Sequence, residues 1–397
     1  MLSLRDPIHG YVKADALESR VIQCRPVQRL RWVRQPGLTH LVFPGAEHSR
    51  FSHVLGAMEL AGRLYDALAE RAPELLDPDP RSPERRAVRL AALLHDCGHA
   101  PFSHSAEDLL EGGLSHEDRT LRLIRESDIA DELAAADGVD VDAVCRILDG
   151  SGDEAYQVLS QIVAGELDVD KMDYLLRDSL YCGVRYGNYD LGRLLETALP
   201  LREETTGRWG LGVDEGGVHA FEALVLARYY MFTQVYFNLT GKVLELHLNE
   251  WLREEGRRWS SRPDEFLGHD DVTTWAAMRS SSSRHAAAIL ERRHHALAFE
   301  TREHLTPDER ASFTALVAEV ELDFSAGDLL ISNSAKDAHR LDASNLLVRD
   351  RDGRLTPMQD VSDFVGNLSR IDRFRVYTRA DLADEVGTIF RSRWPEA

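Results

Sequence analysis

Apolar residues recur at three- and four-residue spacing through the first two thirds of the chain. Val54, Met58, Ala61, Leu64, Tyr65 and Leu68 mark one face of a helix, and Leu90, Leu93, Leu94 and Cys97 mark another. PELLDPDPRSPERR, residues 73–86, carries four prolines and predicts the loop between them. TTGRWGLGVDEGGVHAF, residues 205–221, alternates as a short hairpin does, and a continuous helix is predicted from Phe221 to Leu252. Residues 255–285 are rich in Arg, Ser and charge and predict loops around one short helix. Beyond about residue 305 the pattern changes. Val320 to Phe324 alternates like a strand, LLVRDRDGRLTPMQD predicts a hairpin, and RFRVYTRADLADEVGTIF reads as strand then helix. The expected fold class is mainly α: a helical core over residues 1–300 with a smaller α+β portion over 301–397.

Charge narrows the choice of partners. The 397 residues carry a formal charge of −20, with only four lysines among 47 basic residues. A field of that sign opposes loose attachment to DNA or to anionic membranes, so an anionic ligand requires a local cluster of arginines. Scarce lysine fits a GC-rich genome or a salt-adapted interior equally well. Cys24, Cys97, Cys145 and Cys182 are widely spaced, as small buried residues in a reducing compartment are. With no signal-like segment and no membrane-length apolar run, the expected location is cytoplasmic.

Against this background LAALLHDCGHAPFSH, residues 90–104, stands out, because it sets His95 and Asp96 behind an apolar helix where a charged pair needs a partner. A second doublet, His269–Asp270, lies in a polar segment and reads as a solvated helix start. His53 opens the Val54–Met58 helix. In ELDVDKMDYLLRDSL, Asp170, Tyr174 and Asp178 fall within about 80° of one another at 100° per residue, with Lys171 near 100°. His53, His95, Asp96 and Asp170 together offer two imidazoles and two carboxylates, a set suited to Mn, Mg, Fe, Co or Zn. Gly98 is expected to end the helix and make room for the ion.

FPGAEHSRFSH, LLHDCGHAPFSH, SHED and DVDKMDYLLRDS, with LRDPIHGYV and PVQRLRWVRQPG before them, closely resemble the HD-domain metal-dependent phosphohydrolases, within them the deoxynucleoside triphosphate triphosphohydrolase branch. The similarity runs from about residue 4 to 250, with no sterile-alpha-motif portion in front. It implies a divalent metal held by His53, His95, Asp96 and Asp170, whose activated water attacks the α-phosphate of a dNTP and releases triphosphate. It also implies His116 as acid for the leaving oxygen, His99 beside it, and Glu107 orienting both. Arg50, Lys171 and Arg228 match its phosphate contacts; Gln35, Tyr174 and Asp178 match its sugar contacts, and Tyr236 would lie near the base. His104 is expected to support the site, and His9, His40 and His48 to be structural. Three departures, Pro36, Gln23 and the Asn238–Leu239 pair, bear on ribose exclusion and nucleotide activation. A homo-oligomer, dimer or tetramer, is expected by family analogy. Two alternatives stay open: hydrolysis of another nucleotide, such as a monophosphate, a cyclic dinucleotide or a single-stranded DNA 3′ end, and a non-catalytic nucleotide sensor.

Overall fold

The computed structural model describes residues 2–103, 109–136, 138–203, 206–325, 327–336 and 346–394. It divides into two compact units, Met1–Met231 with Trp259–Val272 and His339–Asn367, and Phe232–Arg258 with Thr273–Ala338 and Leu368–Ala397. The expected boundary at residue 300 falls inside the second unit, at the end of one of its strands.

The first unit is the helical core. Its longest helix, Arg50–Arg71, buries Val54, Met58, Ala61, Leu64, Tyr65 and Leu68 completely, as the spacing predicts. The Pro83–Leu94 helix packs on it and buries Leu90, Leu93 and Leu94, with Ser82 capping its start and proline in the first turn. A third helix, Val169–Cys182, starts on the Asp168 carboxylate, which accepts the Lys171 N–H, and ends at left-handed Gly183. Strands β1 (Leu2–Asp6) and β2 (Gly10–Ala14) form an N-terminal hairpin.

A four-stranded sheet, β3 (Ala198–Arg202), β4 (Trp209–Asp214), β7 (Leu347–Arg349) and β8 (Leu355–Pro357), completes this unit. The 205–221 hairpin is therefore displaced: β4 pairs backwards with the apolar ALPLR strand, and Val218 already opens the Val218–Met231 helix. β7 and β8 form the hairpin expected in LLVRDRDGRLTPMQD.

In the second unit, β5 (Ala296–Glu300), β9 (Ile371–Thr378) and β6 (Leu329–Lys336) form an antiparallel sheet in that order. Phe299, Phe313, Phe374 and Phe390 fill one of its cores. The strand expected over Val320–Phe324 is instead the end of the Pro307–Glu321 helix and the turn after it. Thr306, Pro307 and Glu309 start that helix, and buried Phe313, Val317 and Val320 follow its period; a five-residue alternation could not compete. The long helix expected from Phe221 to Leu252 breaks at a π-helical turn, Phe232–Tyr236, and restarts at Asn238, which caps Leu239–Glu254. Residues 255–285 hold Pro263–Phe266, Asp271–Arg279 and the start of Arg284–Leu290 rather than one short helix. Strand β9 followed by the Ala383–Arg393 helix is as expected.

The second unit also buries a chain of histidines. The His295 N–H donates to His247 Nε2 at 3.1 Å, so the His247 proton sits on Nδ1 and faces His285 Nδ1 at 2.8 Å. His285 Nε2 then faces Glu254 Oε1 at 3.5 Å. Among the described residues, no helix is long and apolar enough to cross a membrane.

Candidate metal centre

Three helix ends meet at the centre. His53 lies in the first turn of Arg50–Arg71, His95 caps the end of Pro83–Leu94 with Asp96 next to it, and Asp170 lies in the first turn of Val169–Cys182. One ligand atom each from His53, His95 and Asp170 falls within 4.8 Å of the others. His53 Nε2 is 3.0 Å from Asp170 Oδ1 and 3.4 Å from His95 Nε2. Asp96 adjoins them, 3.3 Å from His95 Nε2 through one oxygen and 3.7 Å from His53 Nε2 through the other. The four residues proposed as ligands are thus neighbours in space.

Their outer faces are tied. His53 Nδ1 bonds Asp173 Oδ2 at 2.8 Å, and His95 Nδ1 bonds the Ala92 carbonyl at 2.8 Å. Both Nε2 atoms are left facing the carboxylates, and once a cation displaces their protons they form the donor arrangement a divalent ion of borderline or hard character accepts. Burial by itself pushes the His53 pKa down, but hydrogen bonds to Asp170 and Asp173 and the charges of Asp173 and Asp96 outweigh it and raise it to about 10. Against the same burial, His53 and His95 hold Asp170 well below the carboxylate range, and Arg50, His95 and His99 do so for Asp96. The pocket is one that collects positive charge.

The turn carrying Asp96 is held from outside. Thr120 accepts the Gly98 N–H and donates to the His95 carbonyl at 2.9 Å. A Cβ on Gly98 would overlap the His116 carbonyl and Thr120, so the glycine serves close approach of two segments rather than a left-handed helix end. Arg29 donates to the carbonyls of Cys97, His99 and His269. Buried Asp271, one residue past the His269–Asp270 doublet, accepts the Arg34 and Phe102 N–H groups at 2.9 Å each. Phe102 and Ser103 both have left-handed backbones, φ 59° and 61°. Ser103 Oγ donates to the Arg34 and Gln35 carbonyls and accepts from Arg50 Nε, and Arg50 Nη1 bonds Asp96.

The remaining candidates distribute as follows. His99 Nε2 is 3.2 Å from Asp96 Oδ1, and its ring stacks on His116 with centroids 4.1 Å apart. Burial and the Arg50 charge hold the His99 pKa well below the usual imidazole value. Glu107 and His104 lie outside the described residues. The Gln35 side-chain oxygen is buried with no hydrogen-bond partner among the described residues. Lys171 Nζ bonds the Gly165 carbonyl and Asp168, within its own helix start. Asp178 accepts from His48 Nε2 at 2.7 Å, and His48 stacks on Tyr181. Burial pushes the Tyr174 phenol far up, opposed by the nearby Arg228 charge. Tyr236 belongs to the second unit, in its π-helical turn, against Phe232.

Asp173 and Arg177 are missing from the sequence reading. They lie beside Asp170 on its helix, about 60° and 20° from it at 100° per residue, four residues apart and both fully buried, and an acid–base pair at that helical spacing is the signal that marks them.

An HD-domain model matches residues 50–178 and an HD-associated-region model matches 190–393. The uncharacterized protein YwfO of Bacillus subtilis is 36% identical over 270 residues, covering 66% of this chain and 59% of that one. The deoxynucleoside triphosphate triphosphohydrolase SAMHD1 of Gallus gallus is 34% identical over 226 residues, covering 49% and 36%. A solved phosphohydrolase structure from Bacteroides thetaiotaomicron superposes with a TM-score of 0.75 at 25% identity, covering 95% of this chain and 99% of that one. The chain spans 59%, 56% and 49% of the length of the first three curated relatives it matches. The HD model begins at Arg50 and ends at Asp178, enclosing every residue of the histidine–aspartate centre, and the chain belongs to the HD-domain phosphohydrolase superfamily.

Proposed function

We propose that this protein hydrolyses deoxynucleoside triphosphates to deoxynucleoside and inorganic triphosphate. The observation that carries the reading is the gathering of His53, His95 and Asp170 within 4.8 Å, with Asp96 adjoining and both outer imidazole nitrogens already bonded. A divalent cation held there supplies a Lewis acid for a phosphoryl oxygen and a water acidified for attack on phosphorus. Similarity to SAMHD1 supports the α-phosphate as the point of attack.

The chain's own residues have distinct tasks. Arg50, fixed by Asp96 and Ser103, contributes positive charge beside the centre, and the resemblance to the family assigns Lys171 and Arg228 to the phosphates as well. His99, kept neutral by burial, bonds Asp96 and backs the His116 ring. His116 delivers the proton to the sugar oxygen as the phosphorus–oxygen bond breaks. Gln35, Tyr174 and Asp178 receive the sugar, with the Asp178 carboxylate oriented by His48.

The test is incubation of purified protein with Mn²⁺ or Mg²⁺ and each dNTP and rNTP, at low and high salt, with chromatographic separation of products. Deoxynucleoside plus triphosphate, lost in Asp96→Ala, is the expected result. No nucleoside from any triphosphate, together with turnover of monophosphates or single-stranded DNA ends, overturns the substrate assignment. Turnover that Asp96→Ala leaves unchanged overturns the site.

A further inference from the structure

One face of the N-terminal hairpin is exposed and the other buries Val12 and Ala14, and two polar side chains at its turn are buried as well. Ser3, Arg5, Tyr11 and Lys13 are exposed, whereas Asp6 is buried and the His9 side chain is 1% exposed. One Asp6 oxygen builds the turn by accepting the Ile8 and His9 N–H groups at 2.8 and 2.9 Å, and Gly10, φ +78°, closes it. The other Asp6 oxygen accepts Arg177 Nη1 at 2.9 Å.

Arg177 in turn grips Asp173 with two parallel bonds, Nε to Oδ2 at 2.7 Å and Nη2 to Oδ1 at 2.8 Å. His9 Nε2 reaches the same Asp173 Oδ1 at 2.7 Å. The fourth bond of this carboxylate is the one to His53 Nδ1. Asp173 is therefore held by three donor atoms other than His53, two from Arg177 and one from His9; His9 belongs to the hairpin and Arg177 is tied to it through Asp6. Gly56, one helical turn after His53, leaves the space; a Cβ there would overlap both Asp173 and Arg177.

We propose that Asp6 and His9 are positioning residues of the metal centre, acting through Arg177 and Asp173 to fix the ring orientation and Nδ1–H tautomer of His53. A carboxylate behind a metal-binding imidazole affects affinity about 10–100-fold when lost, because the ligand ring is then free to turn. Val12 and Ala14 seat the hairpin in the core, and this positioning accounts for the two polar side chains, Asp6 and His9, buried at its turn. The inference rests on the reading of His53 as a metal ligand.

The experiment is Mn²⁺ binding, followed by loss of the free-ion electron paramagnetic resonance signal, for the full chain and for His53→Ala, His9→Leu, His9→Gln and Asp6→Asn. His9→Gln keeps a donor of similar reach. The expected result is 10–100-fold weaker binding in His9→Leu and affinity within a few-fold of the parent in His9→Gln. If His9→Leu does not fold, His9→Asn, polar but too short to reach Asp173, takes its place, and Asp6→Asn gives an independent reading. Parent-like affinity in His9→Leu, with binding abolished in His53→Ala, overturns the inference and leaves the functional site standing. Equal weakening in His9→Leu and His9→Gln also overturns it, since the hydrogen bond is then not what matters. Mn²⁺ binding indifferent to His53→Ala overturns this inference and the site together.

Discussion

Acid should weaken the second unit through His247, and the amount can be worked out. The His247 pKa is lowered to about 3, first by burial and then by the charges of His295, His285, His294 and Arg284. Hydrogen bonding agrees, because Nε2 already accepts the His295 N–H and Nδ1 already donates to His285, so an added proton has no acceptor. In the unfolded chain the same group titrates near 6.5. The folded pKa is depressed, so stability is complete above about pH 6.5 and falls as pH drops, since the unfolded state alone takes the proton. At about 1.4 kcal/mol per pH unit, His247 alone removes about 2 kcal/mol between pH 7.5 and 5. His285 and His295, also lowered chiefly by burial, act in the same direction. His247→Leu should cost about 1–3 kcal/mol at neutral pH for the stranded donor, but should abolish this share of the slope. Urea unfolding from pH 7.5 to 5, followed by tryptophan fluorescence to which buried Trp251 on the same helix contributes, measures both. Carboxylates elsewhere cancel in the difference between parent and variant. A difference that stays constant across that range refutes the reasoning.

Other perturbations address the first unit. Gly98→Ala drives a methyl into the His116 carbonyl and Thr120 backbone, and should cost about 1–3 kcal/mol in urea unfolding while reducing metal affinity. Asp271→Ala strands two buried N–H groups at Arg34 and Phe102, and should cost about 2–5 kcal/mol by the same measurement. Mn²⁺ at 100 times its dissociation constant should add about 2.7 kcal/mol of stability that a chelator removes; scanning calorimetry should show this shift in the parent and not in His53→Ala.

The centre was legible where chemistry conflicts with local pattern. His95 and Asp96 stand behind Leu93 and Leu94, and Asp170, Tyr174 and Asp178 share a stripe, so a polar cluster among apolar helices shows through in the sequence. Asp173 was hidden because it lies about 60° from Asp170, beside a stripe already rich in acids, where periodicity does not tell a buried carboxylate from a solvated one. Its role is visible only once His9, far away in sequence, arrives beside it. The strand expected at Val320–Phe324 failed because five alternating residues also fit the end of a helix, and the Thr306–Glu309 capping box was the stronger signal. The division into units was not readable either, since the passage at Met231–Phe232 lies in a run of apolar and aromatic residues with no linker composition.

The parallel pairing of β4 with β7 has a consequence for synthesis of the protein. Asp214 aligns with Arg349, so β4 has no β7 partner until about 130 further residues have been made. At 5–20 residues per second that interval is roughly 7–26 s. During it, one edge of β4 is an open template on the nascent chain, in a unit whose Arg50, His53, His95 and Asp170 have already been synthesised. A ribosome stalled before Leu347 would therefore hold a chain with His53, His95, Asp96 and Asp170 of the candidate metal centre and an unfinished sheet, the species a chaperone or a protease would meet first.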